Sequence, residues 1–300
     1  MDWVNLFKHL KLLSLVSTLG MKTGIARRFV AGENMEDALE KVEELNQKGI
    51  LVTLDLLGEN VKNENDTIEV TEEYTRLLEE IRRRNLKANI SVKLTHLGLD
   101  IDRILCIENL EKILNKANED HTFVRIDMEG SKYTQSTLEV FASLWKSYKN
   151  VGVVIQSMLK RSREDIEGLI EAGARVRIVK GAYQEPPSIA YQEMEEIRRN
   201  FIKIMERLLV MGHYPAIATH DDVLIKATQK FAEEREIPKD RFEFQMLYGL
   251  RMGFQEDLAK EGYYIRSYVP YGSHWLPYFI RRLQERRENV IFILKNLFKK

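Results

Sequence analysis

One pattern recurs eight times between Gly49 and the end of the 300-residue chain. Each repeat is a short β-branched and apolar run ending in polar residues or glycine, and a charged stretch with helical periodicity follows most runs. Alternating strands and helices favour parallel pairing through right-handed crossovers. Eight such units in about 230 residues match a TIM-type (β/α)8 barrel, typically about 250 residues long. The runs are 50–56, 88–94, 122–128, 151–156, 174–180, 215–220, 241–247 and 263–269.

We expect a single domain of the α/β class over residues 1–300. Residues 1–48 are predicted to be an N-terminal helical segment and residues 49–300 the barrel, because no low-complexity linker divides the sequence. A helix containing Met35 to Lys48 is expected to end at Gly49, a suitable residue just after a helix C-terminus. Neither GxGxxG nor GxxxxGK[ST] follows the first predicted strand, which argues against an open dinucleotide-binding sheet.

The charge balance limits the classes of partner. The 46 Lys and Arg residues equal the 46 Asp and Glu residues, so the formal net charge is zero. A general nucleic-acid binder needs a clustered excess of cations, and we expect no such partner. Cys106 is the single cysteine, which excludes an internal disulfide and a cysteine-based zinc cluster, and no metal site is expected. The composition is typical of a cytoplasmic protein.

The first residues carry an apolar stripe at helical spacing. Trp3, Phe7, Leu10 and Leu13 share one face, while Lys8 and Lys11 interrupt the apolar stretch. This pattern is too short and too charged for a membrane-spanning helix, which needs about 20 apolar residues. Two interpretations stay open, a helix packed on the barrel and a helix lying on a membrane surface.

Polar residues stand where barrel strands should be apolar. Barrel enzymes carry their chemistry at the C-terminal ends of the strands, and six predicted strands have polar residues at or near this end. Because an unpaired buried charge costs several kcal/mol, such residues must pair, be solvated or face a charged ligand. A single polar residue of this kind would be interpreted as part of a salt bridge within the barrel. Polar residues on six strands together favour a ligand site. The residues are Lys93, Arg125, Asp127, Gln156, Arg175, Arg177, Lys180, Thr219, His220, Asp221 and Gln245.

Cations dominate this set. Lys93, Arg125, Arg177 and Lys180 outnumber Asp127 among the residues expected to point inward. The sequence therefore predicts an anionic ligand, such as a phosphate, a pyrophosphate or a carboxylate.

The last predicted helix has two distinct faces. Tyr278, Arg281, Arg282 and Glu285 follow one another at i, i+3, i+4 and i+7, opposite an apolar face. Spacing alone fits a surface helix with a solvated Arg–Glu pair. The Gly272 turn after the last strand would instead let the helix fold over the barrel mouth, where an arginine fork can grip a carboxylate.

Seven segments, in this order, resemble the proline dehydrogenase family of flavoenzymes, which includes the dehydrogenase domain of bacterial proline utilisation A. The joint presence of RIVKGAY and the distant FIRRLQE is the most specific part, and the resemblance covers roughly residues 27–295. The short chain resembles the compact bacterial monofunctional enzymes, although the stretch 272–281 looks two residues shorter than in the bifunctional proteins. The segments are SVKLTHLG (91–98), RIDMEGS (125–131), VIQSMLKRS (154–162), RVRIVKGAY (175–183), ATHD (218–221), FEFQMLYG (242–249) and YVPYGSHWLPYFIRRLQERREN (268–289).

The resemblance implies a distorted (β/α)8 barrel with FAD bound noncovalently at its C-terminal face. The implied reaction oxidises L-proline to Δ1-pyrroline-5-carboxylate by hydride transfer from proline C5 to flavin N5. Electrons would pass to a membrane quinone, which implies peripheral association at the inner face of the cytoplasmic membrane. A separate pyrroline-5-carboxylate dehydrogenase would act downstream.

The resemblance also implies roles for individual residues. Three cations resemble those that hold the proline carboxylate, and these are Lys93, Arg281 and Arg282. Residues that resemble the lining of the proline ring are Asp127, Tyr268 and Tyr278, while Glu285 resembles the carboxylate that orients one of the arginines. Residues that resemble the contacts to FAD are Asp127, Gln156, Arg177, Lys180, Gly181, Tyr183, Thr219 and His220.

Other functions remain open from the residues themselves. A lysine at a barrel strand end also suits an aldolase in which Lys93 forms a Schiff base. A non-catalytic barrel that binds an anionic ligand is the other alternative. For the dehydrogenase, the group that takes the amine proton is open among Asp127, Lys93 and water.

Overall fold

A computed structural model of the protein describes the backbone of residues 26–285 and the side chains of residues 26–280. All eight predicted runs form strands, which pair in parallel and in chain order into one closed barrel, with the last strand beside the first. The (β/α)8 prediction is therefore confirmed. The strands are β1 Leu51–Leu56, β2 Ala88–Val92, β3 Val124–Ile126, β4 Val151–Gln156, β5 Arg175–Val179, β6 Ala216–Ala218, β7 Glu243–Leu247 and β8 Tyr264–Tyr271.

Among residues 26–285, one α-helix precedes the barrel and one α-helix follows each strand. The preceding helix is α1, Met35–Gln47, and it ends where the sequence predicts, since Gly49 follows with a φ of 77°. No helix in the described part of the chain is both long and apolar enough to cross a membrane. The helices that follow the strands are α2 Glu64–Arg83, α3 Arg103–Glu119, α4 Ser131–Trp145, α5 Ser162–Glu171, α6 Met194–Met211, α7 Asp222–Glu234, α8 Met252–Lys260 and α9 Trp275–Glu285.

The helices begin and pack as their sequences dictate. Asn34, Asn63 and Asp102 each accept a hydrogen bond from a first-turn backbone N–H of α1, α2 and α3. The apolar stripe of each helix then covers outward-facing strand residues, as Tyr74 and Leu78 of α2 do with no exposed surface. Burying one such side chain contributes roughly 1.5–3 kcal/mol, so this shell between helices and strands is the main source of stability.

The barrel interior is polar and arranged in levels. Residues two apart on a strand share a face and lie about 6.6 Å apart along it. Near the N-terminal ends of the strands, Arg266 pairs with Glu243. Near the C-terminal ends, Arg177 pairs with Asp127. Arg125 belongs to the N-terminal level, although it shares a face with Asp127, because it precedes that residue by one step of the pleat.

A second, smaller core ties the two ends of the described chain together. Phe29 and Val30 pack with Trp275 and Phe279 of α9, and all four are buried. Trp275 Nε1 donates a hydrogen bond of 2.9 Å to Glu33. These contacts hold α9 across the C-terminal mouth of the barrel, as the sequence predicted. The apolar stripe within residues 3–13 lies outside the described residues.

Candidate active site

A large cavity opens at the C-terminal ends of the strands, with a volume of about 1190 Å³. It brings together all eleven predicted site residues whose side chains the structure describes. The predicted residues Arg281, Arg282 and Glu285 belong to α9, but their side chains lie outside the described residues. The eleven lining residues are Lys93, Asp127, Gln156, Arg177, Lys180, Gly181, Tyr183, Thr219, His220, Tyr268 and Tyr278.

Lys93 is held by a carboxylate that sequence reasoning missed. Its Nζ lies 2.5 Å from Oδ1 of Asp55, and both side chains are almost fully buried. Burial alone would lower the pKa of Lys93, but attraction by Asp55 and Asp127 outweighs burial and raises this pKa above its ordinary value. Lys93 is therefore a fixed positive charge in the cavity wall.

Asp127 is fixed by two partners. Arg177 Nη1 donates to its Oδ1 over 2.7 Å, and the Tyr268 hydroxyl donates to its Oδ2 over 2.8 Å. The Arg177 guanidinium also donates to Ser91 and lies 5.5 Å from the centroid of the Tyr268 ring. Burial raises the pKa of Tyr268 well above its ordinary value, and the nearby carboxylates add to the rise. Tyr268 therefore keeps its proton and acts as a hydrogen-bond donor.

Glu129 and Gln156 shape the wall between β2 and β4. The Glu129 carboxylate accepts hydrogen bonds from the backbone N–H and hydroxyl of Thr95, at 3.1 and 2.6 Å. Gln156 Nε2 donates to the Glu129 carbonyl over 3.0 Å. Burial raises the pKa of Glu129, although the bonds from Thr95 oppose that rise. Gln156 is thus fixed at the end of β4 and faces the cavity.

At the far end of the cavity, two cations converge on one carboxylate. Lys180 Nζ and Arg198 Nε lie 3.0 and 2.9 Å from Asp221 Oδ2. Asp221 Oδ1 also accepts a hydrogen bond from Val223 N and so caps the N-terminus of α7. Burial opposes ionisation of Asp221, but the bonds from Arg198 and Lys180 outweigh it and lower this pKa. A cation pair beside a helix N-terminus suits an anionic group.

The chain passes very close to the cavity floor at Gly181. Its φ of 112° lies in the left-handed region, and a Cβ added there would come within 2.4 Å of Met158 Sδ. Only glycine fits this position without displacing its neighbours. Nearby, His220 Nε2 accepts a 3.0 Å hydrogen bond from Leu247 N, which fixes the ring at the end of β6.

The predicted excess of cations is wrong for the side chains that the structure describes. Six carboxylate residues and four cationic residues line the cavity. Asp55, Asp127 and Asp221 each pair with one or more of the cations. Arg125, which was counted toward the excess, lies at the opposite mouth together with Arg175.

Several lining residues escaped the sequence prediction, among them Asp55, Glu129 and Arg198. Asp55 could have been predicted from the sequence. It is a charged residue near the end of the apolar run ILVTLDL, just as Lys93 is near the end of its own strand. Glu129 follows β3 and could have been found in the same way. Arg198 could not have been predicted from the sequence, because it lies on α6 among other charged residues. Only the fold brings it into contact with Asp221. Within residues 26–285, no group of His, Cys, Asp and Glu has the arrangement needed to hold a metal ion.

Comparisons with known proteins agree on one family. A sequence model of the family described as "Proline dehydrogenase" matches residues 38–295. The chain is 42% identical over 275 residues to "Proline dehydrogenase 2" of Bacillus subtilis (strain 168), covering 92% of this chain and 91% of that protein. It is 38% identical over 280 residues to "Proline dehydrogenase" of Deinococcus radiodurans, covering 92% and 90%.

A solved structure shares the fold. The crystal structure of proline utilization A (PutA) from Bdellovibrio bacteriovorus inactivated by N-propargylglycine aligns with a TM-score of 0.81 and 28% sequence identity. The alignment covers 87% of this chain and 32% of that one.

Proposed function

The chain belongs to the proline dehydrogenase family, and we propose that it oxidises L-proline to Δ1-pyrroline-5-carboxylate with FAD as its cofactor. The observation that carries this proposal is the single cavity that gathers eleven residues predicted from the sequence to contact proline or FAD. The oxidation removes two electrons and two hydrogens from proline, as a hydride from C5 and a proton from the ring nitrogen.

The described residues fit a long dinucleotide cofactor. The cavity extends from Lys93 to the cations Lys180 and Arg198, and at about 1190 Å³ it exceeds what proline alone would need. Lys180, Arg198 and the N-terminus of α7 suit a pyrophosphate. Gly181 lets the backbone approach closely, since no side chain fits there. Gln156 and Arg177 stand between these two ends, where the flavin ring would be held. Bound FAD would supply the hydride acceptor, flavin N5.

The protein's own residues bind and orient proline. Lys93 is a fixed cation on the cavity wall, which Tyr278 also lines. Arg281 and Arg282, which follow Tyr278 by three and four positions in the sequence, are proposed to join Lys93 in binding the carboxylate. Three cations around one carboxylate would give the ring a single orientation. Tyr268 and Asp127 hold each other and form the adjoining wall. The proline nitrogen must be neutral when C5 loses its hydride, because a protonated amine has no lone pair to drive that loss.

The Schiff-base alternative fits the site less well. A lysine nucleophile has to lose its proton, and aldolase-type lysines have lowered pKa values. Here the Asp55 and Asp127 carboxylates raise the pKa of Lys93 instead. Lys93 is therefore better suited to binding a carboxylate than to attacking a carbonyl.

Electron transfer to a membrane quinone is the last part of the proposal. Because a lipid quinone must reach the flavin, we propose peripheral association at the inner face of the cytoplasmic membrane. The product would then pass to a separate pyrroline-5-carboxylate dehydrogenase.

An absorption spectrum of the purified protein tests the proposal. Flavin bands that bleach on anaerobic addition of L-proline, and that return when a quinone analogue in liposomes is added, are the expected result. Folded protein that neither carries nor binds FAD would contradict the cofactor. Bleaching without reoxidation by any quinone would contradict the acceptor and the membrane location, while leaving the cofactor assignment in place.

A further inference from the structure

A second cavity, of about 330 Å³, opens at the N-terminal mouth of the barrel, opposite the proline site. Residues near the starts of the strands line it, with Arg125 from β3, Arg175 from β5, Glu243 from β7 and Arg266 from β8. It takes no part in the reaction described above. It nevertheless concentrates charge, because three of these four side chains are guanidinium groups.

The Glu243 carboxylate is already paired with Arg266. Arg266 binds Glu243 through two hydrogen bonds, Nε to Oε1 at 2.8 Å and Nη2 to Oε2 at 3.0 Å. Gln245 Nε2 donates to the same Oε1 over 2.5 Å. At the rim, Arg82 and Asp120 form a separate pair. Among the side chains of residues 26–280, Arg125 and Arg175 thus form no ion pair with a carboxylate, although Glu243 attracts both of them from a greater distance.

The protein holds these two arginines by weaker contacts. Arg125 Nη1 donates to the backbone carbonyls of Val153 and Arg175. The Arg125 and Arg175 guanidinium carbons lie 4.8 and 4.9 Å from the centroid of the same Phe123 ring. The Arg175 guanidinium also lies 4.6 Å from the centroid of the Tyr214 ring. This side chain makes no hydrogen bond within the described part of the chain, and its Nε is buried.

Two cations at one end of a barrel are costly without a counter-charge. Arg125 is only 4% exposed. Burial lowers the pKa of Arg125 well below its ordinary value, and repulsion from Arg177 and Arg175 adds to this. Burial also lowers the pKa of Arg175. Arg175 lies between two aromatic rings, and its Nε is buried without a hydrogen-bond acceptor among the described residues. An oxyanion is the ligand that an arginine fork with open donors suits best.

We propose that this cavity binds a small oxyanion, either inorganic phosphate or a carboxylate, with Arg175 as the main hydrogen-bond donor and Arg125 as the buried counter-charge. The bound anion would neutralise the two arginines that the chain leaves unpaired. Because the N-terminal mouth of such barrels serves stability and the opposite mouth serves catalysis, the anion would stabilise the fold without taking part in proline oxidation.

Thermal unfolding of the FAD-loaded enzyme tests the site. Phosphate replaces sodium chloride at constant ionic strength, and a parallel series uses succinate. A saturating rise in Tm of about 2–5 °C is expected when phosphate or succinate reaches ten times its Kd. A rise with only one of them identifies the oxyanion as inorganic or as a carboxylate. No rise with either anion, beyond that of ionic strength, overturns the proposal.

The variant Arg175→Gln gives the sharper result. In chloride alone it should melt at the same temperature as the unchanged enzyme or higher, since it removes an unpaired charge. It should lose the rise with the anion, and isothermal titration calorimetry should show anion binding weakened at least tenfold. Proline turnover with a soluble dye should not change.

Two further variants serve as controls. Arg207→Gln removes an arginine from an exposed ion pair with Glu167, and it should respond to the anion as the unchanged enzyme does. If Arg175→Gln does not fold, Arg175→Lys keeps the charge and loses the planar fork, and it should still bind the anion more weakly. An equal Tm rise in the Arg175 and Arg207 variants would overturn the site.

Discussion

An arginine of β5 lies at each mouth of the barrel, and the two arginines have different surroundings. Arg177 and Arg175 are two residues apart on β5 and face the same side of the strand. Arg177 meets Asp127 at 2.7 Å in the large cavity. Arg175 meets aromatic rings and, among the described residues, no carboxylate. Arg177 in the large cavity is therefore paired with a carboxylate. Arg175, one step of the pleat away, forms no ion pair among the described residues.

The difference shows what decides the role of a buried charge. Both arginines satisfy the same strand pattern, and neither residue type nor alternation distinguishes them. At the C-terminal (upper) mouth, Asp127 at the end of β3 supplies a carboxylate for Arg177. At the N-terminal (lower) mouth, the Glu243 carboxylate already forms an ion pair with Arg266. Charges fixed by partners are preorganised for the substrate and the cofactor at the upper mouth. A charge without such a partner needs a counter-ion instead.

The largest contrast should appear in the stability of two glutamine variants. Arg177→Gln leaves Asp127, whose side chain is 13% exposed, without its cation and should lower the free energy of unfolding by about 1–3 kcal/mol. Arg175→Gln should change it by less than about 0.5 kcal/mol in chloride buffer. Urea unfolding of both variants, followed by circular dichroism, measures the difference. Equal losses of stability would mean that the two mouths do not differ in the way described.

Lys93→Met tests whether the paired charges at the upper mouth serve the substrate. Losing one charged partner of a buried carboxylate costs about 2–5 kcal/mol, so kcat/KM for proline should fall roughly 30-fold to several thousand-fold. Steady-state turnover with a soluble dye gives this value, and the inhibitor tetrahydrofuroic acid should weaken in parallel. The flavin content should stay near normal. Unchanged proline kinetics would remove Lys93 from the substrate site.

Asp55→Asn should make proline oxidation sensitive to alkaline pH. Asp55 and Asp127 together raise the pKa of Lys93, so its charge persists as pH rises and is lost only above the ordinary lysine range. Without Asp55, burial should lower this pKa. Above the lowered pKa, kcat/KM should fall about tenfold per pH unit. Profiles of kcat/KM against pH from 6 to 10 that coincide for the variant and the unchanged enzyme would exclude this role.

Gly181→Ala should have a moderate effect, seen in the amount of bound FAD. The added Cβ would collide with Met158 and force a left-handed backbone on alanine, at a cost of about 1–3 kcal/mol. Bound FAD should fall, as measured by the ratio of flavin to protein absorbance. Gly168→Ala is the matched control, because nothing lies within 4 Å of a Cβ there. It lies inside helix α5 and should stabilise the protein slightly. Equal flavin content in both variants would argue against close backbone approach to the cofactor.

The sequence by itself determined the architecture and the upper site. Eight apolar runs with helical stretches between them predicted the closed parallel barrel, because period and order are local properties of the chain. Residues such as Lys93 and Gln156 could be chosen because parallel strands bring their C-terminal ends to one mouth. The contacts of RIVKGAY to a cofactor, by contrast, were implied only by its resemblance to the proline dehydrogenase family.

Only the tertiary structure decided which charge meets which. Asp55 and Lys93 are 38 residues apart, and their pairing follows from the register of β1 beside β2. The level of Arg125 along the barrel follows from the same registers, and this level removes it from the site that the sequence assigned to it. Alternation along a strand tells which face a residue is on. The level of a residue along the barrel axis depends on how the eight strands are staggered against one another. The sequence of a single strand does not determine this stagger.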